Sequence, residues 1–277
     1  MTSKPVTPDW ATHARMNAAK RWERPSAEMG RGATDAIVEF ARPRPGMRVL
    51  DVASGTGAPA LQLARRVLPT GHVTATDLSP EPLKIAAERA QERALANIEF
   101  KIADAHQLPF DDASFDLVTS RLAVMFFSDL PRALAEMRRV LKPGGRVAML
   151  AWGPIAQPYF ESTGAIIMRH TGLTLPPPAQ QIFRFGKHGT LTAALKSAGF
   201  RDVVEELRTV PWPWISTVED LWEYFQAATV PFRPLLDQIP ADQLEPITRD
   251  VYAAFQRFWD GEKVNMTADF VLAGGKR

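Results

Sequence analysis

The residues best suited to chemistry lie in the segment Asp51-Val-Ala-Ser54-Gly55-Thr56-Gly57, between an apolar run and a helical pattern. Glycines at such a turn let the backbone bend sharply and let a ligand approach the free N–H groups of the next helix. A plain strand-to-helix turn is the simplest alternative. A more specific alternative is a dinucleotide-binding turn, because Gly55-x-Gly57-x-x-Ala60 fits the alanine variant of the dinucleotide fingerprint. Asp77 follows Gly57 by twenty residues, where a ribose-binding acid is expected.

The charge of Asp51 separates these alternatives. A dinucleotide places its pyrophosphate against the glycine turn, and Asp51 precedes Gly55 by only four residues. Two like charges about 4 Å apart repel by several kcal/mol at an effective dielectric near 20. S-adenosylmethionine carries an ammonium and a sulfonium and has no phosphate, so a carboxylate would attract it. We therefore expect the turn to bind S-adenosylmethionine, with S-adenosylhomocysteine as the product.

Two further acids extend the pattern. Asp77 ends the second predicted strand and Asp104 ends the third, so three carboxylates are expected at the carboxyl ends of neighbouring strands. Ligands of open α/β sheets bind at that edge. Asp77 is placed to accept both hydroxyls of a ribose, and Asp104 with Ala105 is placed to meet an adenine edge. Each acid taken alone would also serve as a helix cap or a turn residue.

The elements that must position these acids alternate between strand and helix from residue 47 to residue 152, which predicts a parallel sheet built from βαβ units. The third strand alternates apolar with charged residues and is expected near a sheet edge. Strands are predicted at 49–52, 73–76, 98–102, 115–119, 146–150, 203–210 and 267–273.

The rest of the chain is predicted to cover this core. We expect two helices in the first 40 residues and one short helix around residues 161–170. The predicted divisions are an N-terminal helical cap (1–44), a core (45–152), an insertion or lid (153–188), and a completion of the core (189–277) with a helical lid insertion at about 217–260.

Four motifs together resemble those of class I S-adenosylmethionine-dependent methyltransferases, in the branch with the ubiquinone and menaquinone C-methyltransferases. The resemblance covers residues 45 to 152 well and the remainder loosely. It implies a Rossmann-like, doubly wound, mostly parallel seven-stranded α/β sheet whose last strand is antiparallel, with a helical lid. The motifs are Val49 to Gly57, Asp77-Leu78-Ser79, Asp104 to Phe110 and Arg139 to Gly145.

The resemblance also implies roles for individual residues. It assigns the methionine part of the donor to the glycine turn and to the segment Ser120-Arg121-Leu122, the ribose to Asp77, and the adenine to Asp104 with Ala105. The predicted donor-binding residues are Asp51, Ser54, Gly55, Gly57, Asp77, Leu78, Asp104, Ala105 and Arg121.

No catalytic residue is predicted. Aligning acceptor, methyl group and sulfur recovers roughly 7–11 kcal/mol of barrier, so a general base is not obligatory. His106 is expected to be a surface residue. His13, Tyr159 and His170 are considered as bases but are expected to be surface or lid residues.

An apolar pocket for a flat or hydrophobic acceptor is predicted beneath the lid, because 17 of the 25 Phe, Trp and Tyr residues lie between residues 152 and 270. Packing between lid and sheet is the alternative explanation. Trp10 and Trp22 are expected to close over the donor site. The predicted acceptor-site residues are Trp22, Phe126, Trp152, Trp214 and Trp222.

Bulk properties narrow the alternatives. A net charge of +2 with scattered basic residues disfavours a nucleic-acid partner, and the chain has no cysteine, which fits a reducing cytoplasm. We expect no membrane span, secretory signal or metal site.

A methyltransferase acting on RNA or protein and an NAD-dependent oxidoreductase remain as alternatives to a small-molecule methyltransferase. The acceptor, the atom methylated, the oligomeric state and the pathway stay open.

Overall fold

The structure is a computed structural model that describes residue 9 and residues 12–277; Trp10 lies outside the described residues. Its centre is one seven-stranded sheet in the order β3-β2-β1-β4-β5-β7-β6. The strands are β1 (Arg48–Val52), β2 (His72–Asp77), β3 (Ile98–Ile102), β4 (Phe115–Arg121), β5 (Leu141–Trp152), β6 (Arg201–Trp214) and β7 (Val264–Lys276).

The predicted fold class is confirmed. Strands β1 to β5 pair in parallel, and β7 runs antiparallel to both β5 and β6. Strand β3 lies at one edge of the sheet, as its alternating pattern predicts. The strand order reverses direction between β1 and β4, and this is the point at which parallel sheets of this kind bind ligands.

Helices cover both faces of the sheet, and the alternation of side chains along each strand explains how. Val49 and Leu117 on one face pack with buried residues of the helices Arg31–Ala41 and Ala60–Arg66. On the other face, Leu50 and Val118 pack with the helices Leu130–Val140 and Thr190–Ser197. The helices before residue 150 are α1 (His13–Arg21), α2 (Glu23–Met29), α3 (Arg31–Ala41), α4 (Ala60–Arg66), α5 (Pro80–Glu92) and α6 (Leu130–Val140).

Most helices after β5 form what we call the lid, a layer that packs against the N-terminal helices and against strands β5, β6 and β7. Helix α10 (Thr190–Ser197) belongs to the sheet instead and precedes β6. The lid helices are α7 (Pro158–Glu161), α8 (Gly164–Thr171), α9 (Pro177–Ile182), α11 (Val218–Ala228), α12 (Arg233–Leu236) and α13 (Ala241–Gln256).

Several elements differ from the prediction, including β5 and β7, which extend beyond their predicted ranges. Residues 13–41 form three helices and not two, and α7 and α9 join α8 because Pro158 and Pro177 each start a helix at its first position. Strand β6 continues past Val210 through both prolines of Pro211-Trp212-Pro213-Trp214, because β6 is an edge strand and proline is tolerated there. No helix in the described part of the chain has the length and apolar character that crossing a bilayer requires.

Candidate active site

The three predicted acids meet at one edge of the sheet, which we call the strand-end site. Asp51 lies in β1, Asp77 is the last residue of β2, and Asp104 follows β3 by two residues. The parallel registers Asp51↔Ala75 and Asp77↔Ile102 bring these strand ends together. The sequence order of strands and turns therefore places three carboxylates along a single rim.

Asp51 is completely buried. Its Oδ1 accepts a hydrogen bond of 2.6 Å from the Thr119 hydroxyl on the neighbouring β4, whereas its Oδ2 has no hydrogen-bond partner among the described residues. Burial raises the pKa of Asp51 to about 7, against the lowering effects of the Thr119 hydrogen bond, the positive charge of Arg121 and the nearby Ala60 amide. A cation placed beside Oδ2 would restore the ionised form.

Arg121 and Ser120 end β4 beside Asp51. The Arg121 guanidinium is buried and donates from Nη2 to the Gly30 carbonyl at 3.0 Å. Burial lowers its pKa to about 10, although the charge of Asp51 opposes that shift. Within residues 9 and 12–277, Arg121 Nε and the Ser120 hydroxyl have no hydrogen-bond partner. Two buried groups of opposite charge thus face the same end of the sheet, each with an unused hydrogen-bonding atom.

The glycine turn connects β1 to β2 through hydrogen bonds. The Ser54 amide and hydroxyl both donate to the Thr76 carbonyl, at 2.8 and 3.2 Å, so this side chain holds the turn in place. Gly55 has a φ of +53°, and no atom of the described chain lies within 4 Å of where its Cβ would be. Its amide donates to Asp77 Oδ2 at 2.9 Å. Gly55 therefore leaves open space over the turn.

Gly57 has a different role from Gly55. Its φ is +102°, and a Cβ there would lie 2.8 Å from Leu61 Cδ1 and 3.2 Å from Ala86 Cβ. Glycine is required at this position because helices α4 and α5 pack against the backbone. Its predicted role in donor binding is therefore indirect, through the shape of the turn.

Asp77 and Leu78 form the middle of the rim. Asp77 Oδ1 accepts a hydrogen bond of 3.0 Å from the Ser79 amide, and each carboxylate oxygen keeps a lone pair for a further donor. Leu78 is 62% exposed, an unusual position for a large apolar side chain. A carboxylate beside an exposed apolar surface suits the hydroxyls of a ribose and the face of an attached base.

The sequence predicts a surface position for His106, and its side chain is 18% exposed, which is intermediate between buried and exposed. Its Nδ1 lies 2.6 Å from Asp104 Oδ1, and its Nε2 accepts a hydrogen bond of 3.2 Å from the Asp129 amide. The His106 amide also donates to Asp104 Oδ1 at 2.9 Å. Burial tends to raise the pKa of Asp104, but the His106 hydrogen bonds dominate and leave it below its ordinary value. His106 thus holds Asp104 in position beside Ala105.

Contacts that sequence reasoning missed hold the N-terminal helices over the strand-end site. Arg89 of α5 bonds Glu23 of α2 at 2.8 Å and the Thr56 carbonyl of the glycine turn at 3.1 Å. Burial lowers the pKa of Arg15 on α1, while the charges of Tyr224 and Asp77 oppose the shift. No sequence signal distinguishes these arginines from the other Lys and Arg residues, because their partners lie far along the chain.

The predicted acceptor-site residues fall into two groups. Two clusters of buried apolar residues meet here: the lid core, formed by the lid with the N-terminal helices, and the sheet core, formed by the sheet with α6 and α10. Phe126 and Trp152 are half-buried and contact both clusters. We call the boundary between the two clusters the seam. Trp22, Trp214 and Trp222 are buried within the lid core. The aromatic contacts stay within each group: Trp152 contacts Trp212 (5.2 Å between ring centroids), whereas Trp214 and Trp22 both contact Tyr224 (4.9 and 6.0 Å).

The three residues considered as bases occupy different environments. His13 is exposed and pairs with Asn17 on the same helix. His170 bonds Asp250 at 2.8 Å and so ties α8 to α13 within the lid. Tyr159 is half-buried and contacts Phe225, and burial of its hydroxyl raises the pKa of that group. None of these contacts assigns a proton-transfer role.

Residues 50–149 match the family model described as a methyltransferase domain. Nocamycin O-methyltransferase from Saccharothrix syringae is 30% identical over 220 residues, which cover 71% of this chain and 78% of that protein. The ubiquinone/menaquinone biosynthesis C-methyltransferase UbiE from Bordetella avium is 42% identical over 118 residues, 43% of this chain and under half (46%) of the relative. A putative methyltransferase structure from Bacillus halodurans covers 88% of this chain and 97% of its own, with a TM-score of 0.57 at 23% identity, and so shows the same fold.

Proposed function

The chain belongs to the class I S-adenosylmethionine-dependent methyltransferases, and from this premise we propose that the strand-end site binds the methyl donor through its own charged residues. The ammonium of the methionine part lies at Asp51 and its carboxylate at Arg121. The ribose hydroxyls lie at Asp77, and the adenine lies between Leu78 and the Asp104–Ala105 turn. Ser54 and Gly57 act by shaping the turn beneath the donor.

One observation carries this assignment. Three buried atoms at adjoining strand ends lack a partner in hydrogen-bonding geometry in the described chain, although the Ala60 amide lies near the Asp51 carboxylate: they are Asp51 Oδ2, the Ser120 hydroxyl and Arg121 Nε. Leaving such atoms buried and unpaired costs about 1–3 kcal/mol each. An amino acid zwitterion brings an ammonium for the carboxylate and a carboxylate for the guanidinium. The residues present therefore fit the methionine end of the donor in both charge and hydrogen-bonding capacity.

The same charges disfavour a dinucleotide. Its pyrophosphate would lie against the glycine turn, near the buried carboxylate of Asp51. An NAD-dependent activity is therefore the weaker alternative on electrostatic grounds.

For the acceptor, we propose a small, apolar or aromatic molecule held at the seam between lid and sheet. Phe126 and Trp152 are the half-buried aromatic residues at this seam, next to the carboxyl ends of β4 and β5. The names of the relatives, an O-methyltransferase for nocamycin and C-methyltransferases of quinone biosynthesis, agree with a small-molecule acceptor. Trp22, Trp214 and Trp222 support the pocket from the lid.

In the proposed mechanism, the protein catalyses methyl transfer mainly by aligning the donor with the acceptor. When bound, the donor would supply a methyl group on a sulfonium for in-line displacement, with the neutral thioether of S-adenosylhomocysteine as the leaving group. Asp51, Arg121 and Asp77 fix both ends of the donor on three different strands, and the aromatic residues of the seam hold the acceptor and exclude water. Correct orientation recovers roughly 7–11 kcal/mol of barrier, so positioning by this chain's residues supplies much of the catalysis.

Titration calorimetry with S-adenosylhomocysteine and with NAD tests the donor assignment. We expect binding of S-adenosylhomocysteine only. Arg121→Met should weaken that binding about tenfold or more, because a hydrogen bond to a charged group contributes about 1.5–3 kcal/mol. Arg249→Met removes a 73% exposed guanidinium on α13 and should leave binding unchanged. Preferential binding of NAD, or an Arg121→Met variant that folds and keeps full affinity, would contradict the proposal.

A further inference from the structure

Strand β6 is the last strand of the sheet, and its pairing with β7 leaves one side of its backbone without a neighbouring strand. Two large apolar side chains of this strand are exposed, Val204 by 52% and Leu207 by 55%. An edge strand with exposed apolar side chains favours pairing with a further strand. The stretch from residue 204 to residue 209 contains none of the residues assigned above to the donor or the acceptor.

The direction of the β6 backbone groups follows from Asp269 of β7, which lies opposite Thr209. The Asp269 carbonyl accepts a hydrogen bond of 2.8 Å from the Gly153 amide, on the β5 side of its strand, so it faces away from β6. Since alternate residues of an antiparallel strand direct their N–H and C=O groups to the same side, Thr209, Leu207 and Glu205 direct theirs to the open edge. No hydrogen bond outside the sheet uses these backbone groups in the described chain.

Two features limit the open stretch. Pro211 and Pro213 continue the edge-facing series but have no N–H. A Cβ on Gly32 of α3 would lie 2.7 Å from the Pro211 carbonyl, so α3 covers the edge there. At the other end, the pairing of β6 with β7 becomes irregular before Val204. The residues whose backbone groups stay open are therefore 205, 207 and 209.

This open stretch is complementary to itself. When two copies align antiparallel with Leu207 opposite Leu207, residue 205 of each chain lies opposite residue 209 of the other, and the open N–H and C=O groups meet in pairs. The same register places Glu206 of each chain opposite Arg208 of the other, and opposite charges across a strand pair are stabilising. A shift by two residues in either direction would instead place Glu206 opposite Glu206, or Arg208 opposite Arg208. The charges thus specify one register.

The α3 side of the edge has room for a second chain. Arg208 bonds Glu206 of its own chain and Glu39 of α3, the latter at 2.9 Å. Two surface recesses, with volumes of about 360 and 480 Å³, lie beside these groups, and both are lined by Arg208 and Glu39. Space on both sides of Arg208 therefore remains for the side chains of a neighbouring copy.

From this arrangement we propose that β6 pairs with β6 of a second copy of this chain, antiparallel and about a two-fold axis at Leu207, so that the two sheets continue into one. A strand of another protein would use the same backbone groups but would not share the charge order, which is complementary to itself. The second copy is therefore the partner. This surface is separate from the strand-end site, so its test does not depend on the donor or acceptor assignments.

Charge reversal tests the register. Glu206→Lys makes both charged positions positive, and Arg208→Glu makes both negative, so each variant should self-associate about tenfold or more weakly than the unmodified chain. An equimolar mixture of the two variants restores opposite charges at every pair and should form a mixed dimer. Sedimentation velocity from micromolar to near-millimolar concentration measures each case. Glu245→Lys and Arg249→Glu make the same charge changes at exposed positions of α13 and should leave dimerisation unchanged.

Amide hydrogen exchange on the unmodified chain covers the case in which a variant does not fold. The amides of Glu205, Leu207 and Thr209 should exchange more slowly as the protein concentration rises. Those of Glu206 and Arg208, which face β7, should be protected at every concentration. A chain that stays monomeric, a dimer that both reversals leave intact, a mixture of variants that does not associate, or a dimer whose three edge amides exchange as in the monomer would overturn the proposal.

Discussion

The buried carboxylate of Asp51 makes donor binding depend on pH. With a pKa of about 7 in the ligand-free protein, Asp51 is about half ionised at pH 7, about nine-tenths at pH 8 and about one-tenth at pH 6. Only the ionised form attracts the ammonium of S-adenosylhomocysteine. Since apparent affinity scales with the binding-competent fraction, the dissociation constant should rise about tenfold from pH 8 to pH 6.

Calorimetry checks the magnitude in two ways. The dissociation constant is measured at half-unit intervals from pH 8 to pH 5.5, and the heat at pH 7 is compared in buffers of different ionisation enthalpy. Release of about half a proton per ligand is expected at pH 7, because binding ionises the half of the molecules in which Asp51 is protonated. Asp51→Asn should bind weakly at every pH and lose the slope. A flat profile for the unmodified chain, or the same slope in Asp51→Asn, would refute the role of this carboxylate.

The same pKa predicts an opposite effect on stability. Because the folded-state pKa of Asp51 lies above its unfolded value of 3.8, the protonated group is favoured in the folded protein, and this relative stability is lost as pH rises from about 4 through 7. A shift from 3.8 to about 7 corresponds to about 4 kcal/mol above pH 7. Thermal unfolding of ligand-free Asp51→Asn at pH 8 should therefore occur at a higher temperature than that of the unmodified chain, even though the variant binds poorly.

Two further predictions concern the turn and the adenine end of the site. Gly57→Ala should lower the free energy of unfolding in urea by about 1 kcal/mol more than Gly144→Ala does. Both glycines have positive φ, but only a Cβ at 57 meets Leu61 at 2.8 Å; equal losses would contradict this account. His106→Ala should weaken calorimetric binding of adenosine about three- to tenfold, because Asp104 loses its ring hydrogen bond while the backbone one remains. Unchanged adenosine binding would mean that His106 does not position Asp104.

The sheet and its three acids were predictable because local signals suffice for them. Apolar runs alternate with helical patterns, and the carboxyl ends of parallel strands necessarily share one edge. The position of Asp104 on that rim follows from the length of β3 alone. By contrast, the course of β6 through Pro211 and Pro213 depends on β6 being the edge strand, which only the tertiary structure reveals.

The remainder of the site depends on contacts distant in sequence. His106 is half-buried because the Asp129 amide, 23 residues later, meets its ring. Arg89 and Glu23 are 66 residues apart, and the bond between Trp22 and Asp220 spans 198 residues. Such pairs leave no periodic or motif signal in a single sequence. Likewise, the sequence alone does not place Phe126 and Trp152 at the seam, because it does not show where the lid core and the sheet core meet.

The unpaired buried atoms of the strand-end site predict that the donor stabilises the fold. Within the described chain, Asp51 Oδ2, the Ser120 hydroxyl and Arg121 Nε are buried without a partner in hydrogen-bonding geometry, although the Ala60 amide lies near the Asp51 carboxylate. Other buried polar side chains, such as Thr74 and Gln157, are paired. Since a buried atom without a partner costs about 1–3 kcal/mol, a donor that pairs these atoms should raise the free energy of unfolding, because it satisfies groups that the chain itself leaves unsatisfied.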